Sequence, residues 1–320
     1  MTWNQRVWLT AVALLGSSVA RIIGAQSVVL GSGIHVNEIE GVAFSGDNKL
    51  LATADNGGKL AIWDYPHRRL LIVRNGRNFT EVAFFPDATK VAAAGFDSTV
   101  RVWTVPTGVL VRTIRYPGQA ETLAISPDGK RIAAGGSDKT VRIWDAASGA
   151  EVAALRGHTD AIYSAKFSPD GQSLLSAGRD RSVRIWDPIT GRQLGTLTGF
   201  DDSVYAIDIS ADGRFLVAGV RDGTASIWDL PTRRKLRTLK GHTDSVHGVA
   251  FSPDGQLVAT AGFDKAVRLW NATSGAMVHA CASHRAKVSG VAFSPDGHWV
   301  ASVASDTTAR LCHVPHHLVR

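Results

Sequence analysis

The chain has 320 residues, of which 44% are hydrophobic and 20% are charged. This composition excludes an intrinsically disordered chain and is typical of a folded protein, with room for one large domain or two small ones. The formal net charge is +7, but the basic residues are scattered, mostly at one position per repeat, and we interpret them as a solvated row. A nucleic-acid-binding protein would concentrate them in one patch, so we expect no nucleic-acid partner.

The first 25 residues differ from everything that follows. Arg6 precedes an apolar run over residues 7–15, and Ser18 and Ala20 then occupy the −3 and −1 positions of one signal-peptidase site, with cleavage after Ala25 as the alternative. Only 14 residues separate Arg6 from Arg21, whereas a transmembrane helix needs about 20. These features predict a signal peptide over residues 1–25, no transmembrane segment, and export to the periplasm or the cell exterior. The alternative is an apolar segment that packs on the domain of a cytoplasmic protein.

Residues 26–320 consist of seven copies of one pattern. The clearest copy spans residues 158–187, HTDAIYSAKFSPDGQSLLSAGRDRSVRIWD. Its tryptophan recurs at intervals of 40, 41, 42, 42, 42 and 42 residues, with a cysteine in the last place: Trp63, Trp103, Trp144, Trp186, Trp228, Trp270 and Cys312. Because the copies follow one another without a linker, we expect a single repeat domain over residues 26–320.

Each copy contains four short runs rich in β-branched residues, separated by turn residues, which is the pattern of a small antiparallel sheet. In the fourth copy the runs are residues 162–167, 173–177, 182–187 and 193–197, and the first turn is Ser-Pro-Asp-Gly. A lone four-stranded sheet leaves its faces and edges exposed. Seven such sheets packed around an axis bury the faces, so the sequence predicts an all-β, seven-bladed β-propeller with four-stranded antiparallel blades.

The succession of Gly-His, Ser-Pro-Asp-Gly, Ser or Thr, Asp, and Ile-Trp-Asp resembles the WD-repeat family over nearly all of residues 26–320. In that family one terminus supplies the outer strand of the blade that the other terminus finishes. The seventh copy here stops after its third strand. The resemblance therefore implies that residues 26–30 (QSVVL) close the ring as its fourth strand.

One recurring set of polar residues has the residue types of a catalytic or metal-binding site. In the fourth copy it is His158, Ser176, Asp180 and Trp186, and in the sixth it is His242, Thr260, Asp264 and Trp270. A catalytic or metal site would need such residues to converge, but copies in different blades keep the histidines apart. The resemblance implies a structural tetrad, in which Asp holds His, His meets the hydroxyl, and the hydroxyl meets the indole.

The tetrad is predicted to be complete only in the fourth and sixth copies. The other copies depart from it at the His, Asp or Trp position, in the order second, third, fifth, first and seventh: Asn75, Tyr116, Phe200, Gly57 and Cys312. We therefore expect the ring to be most rigid around its fourth and sixth blades.

Two cysteines occupy structural places of the repeat. Cys281 stands where other copies have an outer-strand leucine, and Cys312 stands in the tryptophan place. We expect buried free cysteines that act as small hydrophobic residues. A Cys281–Cys312 disulfide is the alternative, disfavoured because the two places belong to different blades. No haem, phosphate-loop or calcium-loop motif is present, so no cofactor and no metal is predicted.

The resemblance also implies where a partner binds. WD-repeat propellers bind proteins and peptides mostly at the top rim around the channel, through three positions per copy. These are the residue before the tetrad Asp and the residues three and five places beyond the tetrad His. Among them the candidates are Tyr163, Arg179, Tyr205, Arg221, His247, Phe263 and Phe96. Aromatic residues and arginine dominate binding hot spots.

The function that follows is a monomeric, non-catalytic scaffold that binds an unidentified protein or peptide through the top face. The step from fold to role is an analogy. The alternative is a propeller enzyme or ligand-binding protein with a site at the central channel. That would require convergent carboxylates or a cofactor there, and the rim positions show only the separated Glu40 and Glu121.

Overall fold

The computed structural model describes residues 21–22, 27–30, 33–281 and 283–318. Within these ranges it contains 29 β-strands and one short 3-10 helix, His316–Leu318. The strands form seven antiparallel sheets, and the first strand of each sheet contacts the first strand of the next until the seventh returns to the first. The predicted seven-bladed propeller is confirmed.

The strand bounds follow the repeat. The N-terminal strands are β1 (Arg21–Ile22) and β2 (Ser27–Leu30). Blades 1 to 3 comprise β3 (Ile39–Phe44), β4 (Leu50–Asp55), β5 (Lys59–Asp64) and β6 (Arg69–Asn75); β7 (Phe79–Phe84), β8 (Lys90–Gly95), β9 (Thr99–Thr104) and β10 (Leu110–Arg115); and β11 (Ala120–Ile125), β12 (Arg131–Gly136), β13 (Thr140–Asp145) and β14 (Glu151–Arg156).

Blades 4 and 5 comprise β15 (Ile162–Phe167), β16 (Leu174–Gly178), β17 (Val183–Trp186) and β18 (Gln193–Leu197); and β19 (Val204–Ile209), β20 (Phe215–Val220), β21 (Thr224–Asp229) and β22 (Arg234–Lys240). Blades 6 and 7 comprise β23 (Val246–Phe251), β24 (Leu257–Gly262), β25 (Val267–Asn271) and β26 (Met277–Ala280); and β27 (Val288–Phe293), β28 (Trp299–Ala304) and β29 (Ala309–His313).

The ring closes as expected, because β2 is the fourth strand of blade 7. It pairs antiparallel with β29, with Leu30 opposite Ala309. β1 adds an unforeseen fifth strand, with Arg21 opposite Val29. Residues 21–22 are the described part of the predicted leader; residues 1–20 and 23–25 lie outside the described residues. The signal peptide therefore stays a prediction. In the described ranges no helix has the length and hydropathy needed to cross a membrane.

The Ser-Pro-Asp-Gly segments form the predicted tight turns. In blade 4 the N–H of Gly171 donates to the carbonyl of Ser168 at 2.8 Å. Gly171 has φ +69°, a left-handed conformation that glycine adopts at little cost. The Ser168 hydroxyl donates to Asp170 at 2.5 Å, so the turn holds its own polar groups. The same bonds recur wherever the motif does. Because each of these turns joins the first strand of its blade to the second, they all lie at the same end of the propeller.

The hydrophobic core lies between adjacent blades. Each of its seven clusters combines residues of two neighbouring sheets. In blade 3 the outer-strand residue Leu155 shares a cluster with Trp186 of blade 4, and Leu239 of blade 5 shares one with Trp270 of blade 6. An outer strand therefore packs against the third strand of the following blade. This relation is what brings the two cysteines together.

The innermost strands face the channel with one unpaired edge. Some backbone N–H groups along this edge donate to side chains of the preceding blade. Ser164 accepts from the N–H of Ile207 at 3.2 Å, and Asp208 accepts from the N–H of Phe251 at 2.8 Å. Buried backbone donors left without an acceptor would destabilise the fold, so these bonds help to fix the channel wall.

Candidate functional site: the tetrads and the channel mouth

The predicted tetrads are present in blades 4 and 6. In blade 4, Trp186 Nε1 donates to Ser176 Oγ at 2.8 Å, and Ser176 Oγ lies 2.7 Å from His158 Nε2. His158 Nδ1 lies 2.8 Å from an Asp180 carboxylate oxygen. Because the indole can only donate and the carboxylate can only accept, the chain of bonds runs from Trp186 through Ser176 and His158 to Asp180. No hydroxyl or imidazole of the tetrad is left free for catalysis.

Blade 6 repeats the same chain of bonds. Trp270 donates to Thr260 at 2.8 Å, His242 lies 2.7 Å from that hydroxyl, and His242 Nδ1 lies 2.8 Å from Asp264. Burial lowers the pKa of His242 and outweighs the raising effect of Asp264. The His242 and Asp264 side chains are 2% and 5% exposed. The set is therefore internal scaffolding.

The prediction that blade 1 lacks its aspartate was wrong. His35 Nδ1 lies 2.6 Å from Asp55, and His35 Nε2 lies 2.8 Å from Thr53, which accepts from Trp63 at 3.0 Å. Asp55 is the last residue of β4 and lies two residues before Gly57. The residue of blade 4 that corresponds to Asp55 is Gly178. Counting at a constant spacing missed it because a carboxylate can reach the same imidazole from the end of the strand.

Blades 3 and 5 satisfy these polar groups with other partners, and blade 7 keeps the bonds of its histidine. Tyr116 of blade 3 takes the histidine place and bonds to Asp138 through its hydroxyl. In blade 5 the indole of Trp228 donates to Ser226 on its own strand at 2.8 Å, since residue 218 is alanine. In blade 7, His284 bonds to Ser302 at 2.8 Å and to an Asp306 oxygen at 3.2 Å.

The arginine row is partly buried, so the interpretation of a solvated row was wrong. In five blades an arginine pairs with the carboxylate four residues before it, and these side chains are 9–19% exposed. The bond is shortest between Arg101 and Asp97, at 2.7 Å. In blade 4, burial opposes ionisation of Asp180, but hydrogen bonds from His158 and Ser182 hold its pKa far below the usual range. Asp306 has a lowered pKa for the same reasons.

The two cysteines form a disulfide, so the expectation of free thiols was wrong. Cys281 and Cys312 are bonded, with their Cα atoms 5.8 Å apart. The pairing was disfavoured because the two residues belong to different blades. An outer strand packs on the third strand of the next blade, however, so the leucine and tryptophan places meet at every boundary. At this one boundary both members of the pair are cysteine.

The channel mouth is formed by the second residue of each innermost strand. In blades 1 to 7 these residues are Glu40, Thr80, Glu121, Tyr163, Tyr205, His247 and Ser289. They line one cavity of about 640 Å³, together with Phe96 and Phe263. Acidic residues stand on blades 1 and 3, and aromatic rings stand on blades 4 to 6. The mouth therefore has two chemically different halves.

The aromatic half is a continuous row of rings. Tyr163 and Tyr205 have centroids 5.1 Å apart, Tyr205 and His247 are stacked at 4.0 Å, and His247 and Phe263 are stacked at 3.5 Å. Lys287 Nζ lies 4.6 Å from the Phe263 centroid. Burial lowers the pKa of His247 to about 3, so its ring is neutral. The row offers flat apolar faces that attract cations.

The carboxyl groups of the acidic half repel one another when they are ionised. Burial raises the pKa of Glu121, and the nearby Glu40 raises it further, to about 7. Glu40 has a raised pKa because of burial and Glu38, while a hydrogen bond with Ser289 partly offsets this. A cation placed between two such carboxylates would relieve the repulsion between them. The carboxylates therefore define a place for a positive charge.

The predicted binding residues divide between channel and rim. The five rings, Phe96 included, line the channel. Arg179 and Arg221 do not; they are exposed on the turns between the second and third strands, at the end that carries the tetrad histidines. We call this end the top. Arg179 faces Asp160 at 3.7 Å in an exposed ion pair. The two arginines flank the aromatic half rather than complete it.

Sequence reasoning missed three charged residues deeper in the channel. Burial raises the pKa of Glu81 and of Asp208, and Lys166 opposes both shifts. Lys166 and Asp208 share a repeat position that is alanine in blades 1, 2, 3, 6 and 7. The signal in the sequence was two charged residues at a repeat position that is otherwise alanine. A charged side chain at such a position of an innermost strand is expected to face the channel.

Fold and site together define a seven-bladed propeller stabilised by tetrads and open at an aromatic and acidic channel mouth. The family model described as "WD domain, G-beta repeat" matches residues 32–64, 73–104, 108–145, 149–187, 191–229, 233–271 and 275–313. The chain therefore belongs to the WD-repeat family. No curated protein matches it.

Proposed function

We propose that this protein is a non-catalytic scaffold that binds a segment of a partner protein at the channel mouth. The observation that carries the proposal is the row of stacked rings from Tyr163 to Phe263, which stands beside Glu40 and Glu121 in one cavity. Rings in a concave site contribute large contact area at low entropic cost, as binding hot spots do.

The charges specify what the segment carries. A lysine or arginine side chain that enters the mouth meets carboxylates on blades 1 and 3 and aromatic faces on blades 4 to 6. Acidic residues of the same segment then lie toward Arg179 and Arg221, which are exposed on the rim. The partner is thus a short segment with a basic side chain flanked by acidic ones.

The test uses a library of short peptides presented to the immobilised protein. We expect enriched peptides to contain one Lys or Arg, and binding to fall at least ~10-fold in Glu40→Gln/Glu121→Gln, because removing a buried charged partner costs about 1.5–3 kcal/mol. Arg179→Glu/Arg221→Glu should select against acidic flanks. Retention of every peptide by both double variants would contradict the proposal.

A matched control for Arg179→Glu/Arg221→Glu reproduces its charge change away from the channel mouth. Arg192→Glu/Arg234→Glu makes the same charge change on exposed residues of blades 4 and 5. Arg192 lies on the turn between the third and fourth strands, and Arg234 begins the fourth strand, so both lie at the opposite end from the tetrad histidines. Peptide binding should be unchanged in this variant. Equal loss in control and test variants would mean that net charge, not the mouth, governs binding.

One observation favours a second candidate, an enzyme or small-ligand-binding protein with its site in the channel. A carboxyl group with a pKa of about 7, such as Glu121, can transfer protons near neutral pH. A hydrolase screen of the protein against Glu121→Gln tests this candidate. Turnover that disappears in the variant would replace the scaffold proposal with an enzymatic one.

A further inference from the structure

Three residues that can ligate a metal converge at the boundary between blades 6 and 7. His279 and Cys281 are two residues apart at the outer edge of blade 6, so their side chains lie on the same face. Cys312 comes from the third strand of blade 7. One ligand atom of each lies within 4.8 Å of the others, and this is the one such trio among the described residues.

The trio replaces the repeat's usual residues at all three positions. The counterparts of Cys281 are Leu155, Leu197 and Leu239, and those of Cys312 are tryptophans. The strand register places His279 opposite Leu269, where the corresponding pairs in blades 3, 4 and 5 have Ala153, Gly195 and Arg237. A disulfide alone requires two of these changes. The third brings an imidazole beside the sulfur atoms.

The surroundings suit a soft, partly enclosed metal site. Cys281 and Cys312 are 7% and 3% exposed. The His279 side chain beside them is half-buried. His317 lies on the C-terminal 3-10 helix, and Leu318 of that helix packs against the same core cluster.

We propose that Cys281, Cys312 and His279 bind one Zn²⁺ ion when the disulfide is reduced. A dithiol reductant supplies two electrons and two protons; the S–S bond breaks, two thiols form, and the reductant becomes a disulfide. The ion then displaces the two thiol protons to solvent and takes two thiolates and the imidazole as ligands. Water completes a tetrahedral site. Because the same sulfur atoms serve both states, disulfide and metal exclude each other.

Co²⁺ is the spectroscopic probe, because its thiolate charge-transfer and visible bands report sulfur ligands and tetrahedral geometry. The full chain is reduced, freed of reductant without oxygen, and titrated with Co²⁺ and then Zn²⁺. We expect one Co²⁺ per chain with thiolate bands that Zn²⁺ abolishes, and no bands in the oxidised protein. His279→Ala should weaken binding by more than ~100-fold, because the loss of an outer-shell partner alone costs about 10–100-fold. The double variant Cys281→Ser/Cys312→Ser should give no band.

Each other outcome overturns the proposal. Far-UV circular dichroism accompanies every titration, and a reduced chain that is unfolded could not hold ligands 31 residues apart in place. A folded, reduced chain without thiolate bands would show that the sulfur atoms bind no metal. An unchanged affinity in His279→Ala would remove the imidazole from the site. The proposal stands apart from the channel mouth, so peptide binding serves as an independent control.

Discussion

Ser176 is the residue on which the blade 4 tetrad depends. It is fully buried, accepts from Trp186 at 2.8 Å and lies 2.7 Å from His158. Ser176→Ala therefore leaves one indole N–H and one imidazole nitrogen without partners. Each unsatisfied buried group costs about 1–3 kcal/mol, so we expect the free energy of unfolding to fall by about 2–6 kcal/mol. At roughly 2 °C per kcal/mol, Tm should fall by about 4–12 °C.

Blade 5 supplies the matched control, because its indole uses a different serine. Ser226 accepts from Trp228 at 2.8 Å, and no histidine shares that hydroxyl. Ser226→Ala leaves one group unsatisfied and should cost about 1–3 kcal/mol. Ser176→Thr keeps the hydroxyl that blade 6 has at Thr260, and it should stay within about 1 kcal/mol of the wild type.

The assay is equilibrium guanidinium unfolding, followed by tryptophan fluorescence and circular dichroism. The reasoning requires Ser176→Ala to be clearly more destabilising than Ser226→Ala. If the two variants cost the same, or if Ser176→Ala costs less than about 0.5 kcal/mol, the tetrad is not a coupled network and its bonds add little to stability.

Four further outcomes are expected. The pKa of His247 is about 3 in the folded protein and about 6.5 unfolded. The unfolded chain therefore binds more protons between these values, stability falls as pH drops from 6.5 to 3, and denaturation titrations of His247→Gln should show a shallower fall. Affinity for a basic peptide should rise from pH 6 to 8 as Glu121 ionises, and Glu121→Gln should flatten this rise in calorimetry. Cys281→Leu/Cys312→Trp restores the repeat's pair beside Ser302, so its Tm should not respond to reductant, whereas the wild type should lose about 2–4 kcal/mol on reduction. Amide exchange should be slowest in blades 1, 4 and 6, and faster opening of these than of blades 2, 3 and 5 would contradict the role given to the tetrads.

The repeat made most of the fold predictable. Strand count, turn chemistry and the closing strand all follow from local patterns that occur several times, so each copy supports the others. The prediction of residues 26–30 as the closing strand needed only the missing fourth strand of blade 7, and Ser27–Leu30 fills that place. The tetrads of blades 4 and 6 were equally accessible, because their spacing is constant.

The errors arose where residues of different blades meet or where spacing changes. Asp55 reaches His35 from 20 residues away rather than 22, and a fixed count could not show that the geometry tolerates this. The disulfide was disfavoured because membership of different blades was taken as separation in space. The arginines that were expected in solvent pair with the aspartates four residues before them. This happens because each aspartate lies on the turn that leads into the strand of its arginine.

The amino-acid sequence by itself determined the number of blades, the strands within each blade, the turns and the closure of the ring, because these depend on short-range patterns of apolar and turn residues. Only the tertiary structure decided which residues meet across blade boundaries. It joined Cys281 to Cys312, stacked Tyr205, His247 and Phe263 into one row, and brought Glu40 near Glu121. The physical reason is that the repeat specifies each sheet by local patterns. The channel mouth and the blade boundaries form only when the sheets pack into a closed ring.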